Sequence, residues 1–157
     1  MGRGQRTVEG FGSMLRVKVY AYVTRERDGR TQVLVFRHRV PDAPEAGIQV
    51  PGGTAERDER PATALLRELR EEAGIAPDRL TYITALAVDH HMIAGETVER
   101  HFFHGKVDGA PDEWDHVVTG GGEDDGMVFG YFWIARADEV SLAGDQGAYL
   151  GRVFAAS

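Results

Sequence analysis

"VPGGTAERDERPATALLRELREEAGI", residues 50–75, sets a pair of glycines ahead of a segment dense in leucine, alanine, arginine and glutamate. Asp58 or Glu59 stands where a helix N-cap belongs, Pro61 suits the first turn, and Gly74 suits the residue just past the end. These signals predict a helix over about 60–73. At about 100° per residue, Ala62, Leu65, Leu66, Leu69 and Ala73 fall on one apolar stripe that must face a sheet. Glu68, Glu71 and Glu72, spaced i, i+3 and i+4, share the adjoining face. Glutamates on a helix are usually a solvated surface, and Arg67, at i,i+4 from Glu71, adds only about 0.2–0.5 kcal/mol as a pair. Three neighbouring carboxylates nevertheless repel and raise one another's pKa unless a cation joins them. Mg²⁺ is the hard cation that takes oxygen ligands in an octahedral shell while keeping waters. The glycine pair lets backbone carbonyls approach the same spot with no side chain in the way. The stretch therefore reads as a metal cradle.

Working outward, "LRVKVYAYVTR" and "TQVLVFRHR" alternate around β-branched and aromatic residues, and "ERDGR" between them supplies a turn, so they form a hairpin. "PDAPEAG" is a loop leading to a short strand "IQVP". Downstream, "LTYITALAVDHH", "ETVERHFFHGKV" and "MVFGYFWIAR" read as three more strands, with "DGAPDEWDHVVTGGGEDDG" as a long polar connection. The tail "DEVSLAGDQGAYLGRVFAA" fits one or two short helices. Residues 1–13, rich in Gly and Arg without periodicity, are expected to be disordered, and 14–157 to form a single domain.

The chain has 157 residues, 42% of them hydrophobic and 27% charged, and no run approaches the roughly 20 apolar residues of a membrane span. With no cysteine there is no disulfide framework, and the first residues lack a signal-peptide pattern, so the expected location is cytoplasmic. A net charge of −7 disfavours broad capture of nucleic acid, which is not an expected partner.

Gly53, Glu59, Arg67, Glu68, Leu69, Glu71, Glu72, Gly74 and Ile75 stand at the spacings of the Nudix hydrolase signature, with no departure. The chain closely resembles that family, and its order of strands around the motif is also similar. The resemblance implies an α/β fold, a Nudix-like α/β/α sandwich with a mixed β-sheet. It implies a pyrophosphohydrolase that cleaves a diphosphate linkage in a nucleoside diphosphate derivative, NDP-X to NMP and P-X, by attack of metal-activated water. By similarity Glu68, Glu71 and Glu72 would ligate Mg²⁺ or Mn²⁺, the Gly52 carbonyl would complete the shell, and Glu68 or a metal-bound carboxylate partner would help deprotonate water. Arg67 is then an orienting residue, paired with Glu59 or Glu68. Some family members add a carboxylate from a later loop, a role for which Glu123 stands first, ahead of Asp124 and Asp125.

The substrate is less legible. Downstream of the motif the chain has "DHHMI" and neither the proline of ADP-sugar hydrolases nor the tyrosine of dinucleoside polyphosphate hydrolases. The isoprenoid diphosphate isomerases share the fold but depend on a cysteine that this chain lacks. Arg37 and Arg39 at a strand end are candidates for substrate phosphates, His90 for phosphate or base, and Trp114 for stacking on a ring. Each has an ordinary alternative: a solvated strand end, a strand histidine, an indole covering the core edge. A ligand-sensing protein without turnover and an RNA 5′-pyrophosphohydrolase are the competing functions. A homodimer is expected from the resemblance alone.

Overall fold

A computed structural model of the protein describes residues 15–39 and 46–155. The expectation of disorder for residues 1–13 lies outside the described residues. Strand β1 (Arg16–Arg27) turns through Asp28 and Gly29, both at positive φ (55° and 76°), into β2 (Arg30–His38). That pair of left-handed residues matches the twist of a two-residue hairpin. Short strand β3 (Gly52–Thr54) precedes helix α1 (Pro61–Glu68), and β4 (Leu80–Ile93) and β5 (Glu96–Val107) form a second hairpin. β6 (Trp114–Val117), β7 (Val128–Ile134) and helix α2 (Leu150–Ala155) complete the order.

The strands lie in the order β4-β5-β1-β2-β7-β6, with β3 beside β1. β1 runs parallel to β5 and antiparallel to β2 and β3, so the sheet is mixed. Alternation on β1 sends Val19, Ala21 and Val23 to one face, where they pack with Leu65 and Leu69, and Tyr20 and Tyr22 to the other, with Leu150 and Val153 from α2. Helices cover both faces, which is the expected α/β/α sandwich.

β1 and β2 pair only near their turn, from Thr24↔Val33 to Arg27↔Arg30. Beyond it they diverge, and the chain over 49–54 fills the fork. Gln49 bridges Phe36 of β2, Ala21 donates its N–H to the Pro51 carbonyl at 2.9 Å, and Gly52 and Gly53 face Tyr20 and Val19 of β1. The short strand expected at "IQVP" is thus two isolated bridges at Ile48 and Gln49, and the regular pairing begins at Gly52.

Three local expectations differ from the structure. The N-cap is Arg60, with no side-chain cap, because Pro61 holds its predecessor extended (ψ 145°) and the Glu59 carboxylate is committed elsewhere. The helix expected over 60–73 continues after Glu68 as one π-helical turn, Leu69–Ala73, before Gly74 (φ 75°) ends it. Ala64, Leu65, Leu69, Glu72 and Ala73 face inward while Ala62 is exposed and Leu66 only half-buried, and the wider turn after Glu68 carries Glu72 to the buried side. Finally, the polar connection after β5 contains strand β6, whose sequence WDHV lacked a hydrophobic run long enough to mark it.

Candidate active site

Arg67 leaves the last turn of α1 and gathers the acidic groups around it. Its Nε and Nη2 donate to Glu59 Oε2 and Oε1, both at 2.9 Å, and Nη1 donates to Glu68 Oε2 and Glu71 Oε1, both at 3.1 Å. Nη2 also reaches the Thr54 carbonyl at 3.1 Å, tying the helix to β3. This fork-to-carboxylate geometry is one that lysine cannot reproduce. The Arg67 hydrogen bond holds the Glu59 carboxyl below its ordinary pKa. Burial pushes Glu68 up despite the same guanidinium.

Glu72 points inward from the π turn and is only 8% exposed. Its Oε1 accepts the Gly52 N–H at 2.9 Å. Burial raises its pKa well above the usual range, and the charges of Glu68 and Asp124 add to the rise. Two glycines make room for the neighbouring carboxylates: a Cβ on Gly53 would overlap the Glu68 carboxyl group, and one on Gly120 would overlap that of Glu71. The bare backbone of the motif glycine therefore accommodates a carboxylate by close approach.

The π turn brings Glu68, Glu71 and Glu72 to one wall of a cleft of about 310 Å³, lined opposite by residues 118–125 and flanked by Lys18. A helix end leaves its last carbonyls without partners inside the helix. Here β6 and β7 and the chain between them supply donors. Trp114 Nε1 donates to the Ala73 carbonyl at 3.0 Å, Tyr131 OH to Glu72 at 2.9 Å, and His116 Nε2 and the Thr119 N–H both to Glu71 at 3.0 Å. Because a carbonyl only accepts, His116 carries its proton on Nε2.

The donor set fits a hard divalent cation. Glu72 is desolvated beside two other negative groups, with one N–H and the weaker influence of the Lys18 charge for compensation, and a doubly charged ion offsets that deficit. Among the described residues, no three acidic, histidine or cysteine side chains converge closely enough to enclose an ion; Glu68 and Glu71 are instead drawn to Arg67.

The NUDIX domain family model matches residues 14–149. The chain belongs to the NUDIX family. It is a NUDIX hydrolase, acting on phosphoric anhydride bonds. A MutT NUDIX hydrolase from Burkholderia pseudomallei is 28% identical, with a TM-score of 0.61 over 88% of this chain and 97% of that one. The E. coli dihydroneopterin triphosphate pyrophosphohydrolase is 16% identical, with a TM-score of 0.65 over 90% and 96%. The NUDIX domain of Shewanella oneidensis NrtR, solved with ADP ribose, is 18% identical, with a TM-score of 0.66 over 88% and 86%. No curated protein matches the chain. Among the described residues no helix is long and apolar enough to cross a membrane.

In this NUDIX chain the cleft gathers Glu68, Arg67, Glu71 and Glu72, with Glu59 held behind Arg67 and Gly52 beneath Glu72. Glu123 lines the cleft from the opposite loop but is exposed, whereas Asp124 is the loop carboxylate whose charge acts on Glu72. The structure does not bring Arg37, Arg39, His90 or Trp114 to the cleft. Arg37, Arg39 and Trp114 line a separate cavity of about 410 Å³ that shares no residue with it. Arg39 there pairs with Asp115 at 3.3 Å, and Trp114 stacks on Tyr131 as a cover for the core edge. His90 sits on edge strand β4, 3.6 Å from Glu99. Sequence reasoning passed over Lys18, which only the β1–β3 register places beside the carboxylates.

Proposed function

We propose that the protein hydrolyses a diphosphate linkage in a nucleoside diphosphate derivative, giving NMP and P-X, with Mg²⁺ or Mn²⁺. The observation that carries this reading is the wall of three carboxylates, Glu68, Glu71 and Glu72, beside a lysine with no ion-pair partner among the described residues. Glu68, Glu71, Glu72 and the Gly52 carbonyl would hold the cation. When bound, it supplies charge neutralisation on the phosphate oxygens and a water of lowered pKa. Arg67, anchored by Glu59, fixes the directions of Glu68 and Glu71, so that the carboxylates meet the substrate in one geometry. Lys18, which lines the same cleft, would donate to a phosphate oxygen, and Glu68 would accept the proton of an attacking water. Glu123 and Asp124 are the candidates for a further carboxylate from the loop. Arg37, Arg39, His90 and Trp114 are not part of this reading.

The test is incubation of the full chain with Mg²⁺ or Mn²⁺ and a panel of nucleoside diphosphate compounds, followed by chromatographic resolution of NMP and P-X. Tight binding of one compound with turnover of none would favour the ligand-sensing alternative and sink the enzyme reading. Turnover confined to triphosphorylated oligonucleotides would favour the RNA alternative.

A further inference from the structure

Beside the carboxylate cleft lies a second cavity of about 260 Å³ on the α2 side of the sheet. It shares Lys18, Gly53, Glu72 and Asp124 with the cleft, so the two adjoin. Its volume is below the roughly 300–1,000 Å³ of pockets that enclose drug-sized ligands, so it suits one ring system of a ligand whose phosphates remain in the cleft. Tyr20, Val50 and Ile93 give it apolar surface, and the Tyr20 ring is fixed by stacking on Phe102 at 5.2 Å.

The two carboxamides of this cavity have a determined orientation. The Val50 N–H can only donate, and it does so to Gln146 Oε1 at 2.9 Å. Gln146 Nε2 is therefore the remaining end of that carboxamide, and it donates to Gln49 Oε1 at 3.3 Å. With its oxygen engaged, Gln49 is left with its NH₂ group, which has no partner among the described residues. The hydroxyl of Tyr20 has none either, nor does the ammonium of Lys18. Gln146 is itself held, since its carbonyl accepts from Tyr22 OH at 2.6 Å and the neighbouring Gly144 and Asp145 carbonyls accept from buried Arg100 at 3.1 and 3.2 Å. The chain of bonds fixes the Gln49 carboxamide so that its NH₂ is an uncommitted donor at the cavity.

We propose that this cavity binds the base of the nucleotide substrate and selects bases whose edge presents carbonyl acceptors, guanine and uracil, over adenine and cytosine. Guanine offers O6 and N7, and uracil O4, to donors, whereas adenine and cytosine present an amino group at the corresponding position. An amino group facing the Gln49 NH₂ leaves two donors opposed and unsatisfied, which costs more than a missing bond. The proposal rests on the hydrolase reading of the adjoining cleft for its assignment of the phosphates.

The test is equilibrium binding of GMP, UMP, AMP and CMP to the full chain by calorimetry, with divalent cations chelated so that no turnover occurs. GMP and UMP should bind about tenfold or more tightly than AMP and CMP. Gln49→Glu, which keeps an acceptor for Gln146 and removes the free donor, should abolish or invert that ratio. Tyr20→Phe, which removes the hydroxyl and keeps the packing, should reduce it. Equal binding of the four nucleotides, or a ratio unchanged in both variants, overturns the proposal. Base preference without hydrolysis of any NDP-X in Mg²⁺ upholds it while removing the NDP-X reading; hydrolysis without base preference removes the cavity assignment alone.

Discussion

Arg67 and Glu59 meet through two parallel hydrogen bonds of 2.9 Å, eight residues apart across the start of α1. The pair leaves Nη1 free to hold Glu68 and Glu71 together. Arg67→Lys keeps the charge and loses the fork, so the carboxylates should scatter. We expect kcat to fall about 10–100-fold with KM changed far less. Steady-state kinetics checks this, and a loss confined to KM would assign Arg67 to substrate binding instead.

Glu72→Gln should keep the Gly52 N–H bond through its amide oxygen and remove a buried charge. Turnover should drop at least about 10²-fold, while the thermal midpoint stays level or rises, since a desolvated carboxylate has been neutralised. A variant as active as the parent would place the chemistry elsewhere.

Gly53→Ala puts a methyl group where the Glu68 carboxyl lies. The carboxyl is the far end of a flexible side chain, so it should swing aside and spare the fold, with stability within about 0.5 kcal/mol of the parent. Mn²⁺ affinity, read by electron paramagnetic resonance, should weaken together with turnover. Unfolding of the variant would show that the backbone, and not the carboxylate, gives way.

Leu69→Ala should have the converse profile. Leu69 is 1% exposed beneath the π turn, and its truncation should cost roughly 2–5 kcal/mol through a cavity. Urea unfolding gives the value directly, and a loss below about 1 kcal/mol would mean that the core collapses into the gap.

Asp89 pairs with Arg100 at 2.7 Å, and Arg100 is fully buried. The guanidinium bond outweighs burial and holds Asp89 below its ordinary pKa. A depressed folded pKa contributes stability that is complete above the unfolded value of about 3.9 and is lost as pH falls through the folded value. Asp89→Asn should therefore cost about 1–3 kcal/mol at pH 7, where it leaves buried Arg100 with carbonyl partners and the Asp145 carboxylate at 4.0 Å. Its deficit against the parent should shrink below about pH 4. Urea midpoints of both proteins at the two pH values decide it; a constant deficit would show that ionisation of Asp89 is irrelevant.

The signature, its helix and most strands were legible because each rests on local signals: spacing, alternation, Pro61, Gly74 and the Asp28–Gly29 turn. What escaped depended on contacts distant in sequence. Nothing in "LREEA" announces a π turn, which exists because Trp114, His116, Thr119 and Tyr131 satisfy its carbonyls from 41 or more residues away. Arg37, Arg39 and Trp114 were chemically reasonable ligands, but the sheet order places them beside β6 and β7, away from the cleft. Lys18 and Gln49 could be placed only by register, since alternation tells which residues share a face but not what faces them.

The fork between β1 and β2 has a practical corollary for anyone wishing to retarget the enzyme. Residues 49–54 are seated in it by main-chain bonds to Ala21, Phe36 and the β1 edge. Such bonds are indifferent to side-chain identity at Gln49, whereas the Val50 N–H in the same segment depends on Gln146 Oε1. A library randomised at positions 49 and 93, with Tyr20 and Gln146 kept for the packing and the Val50 bond they supply, should therefore vary the proposed choice of base while residues 49–54 stay in register, so that selectivity and turnover become separately adjustable traits.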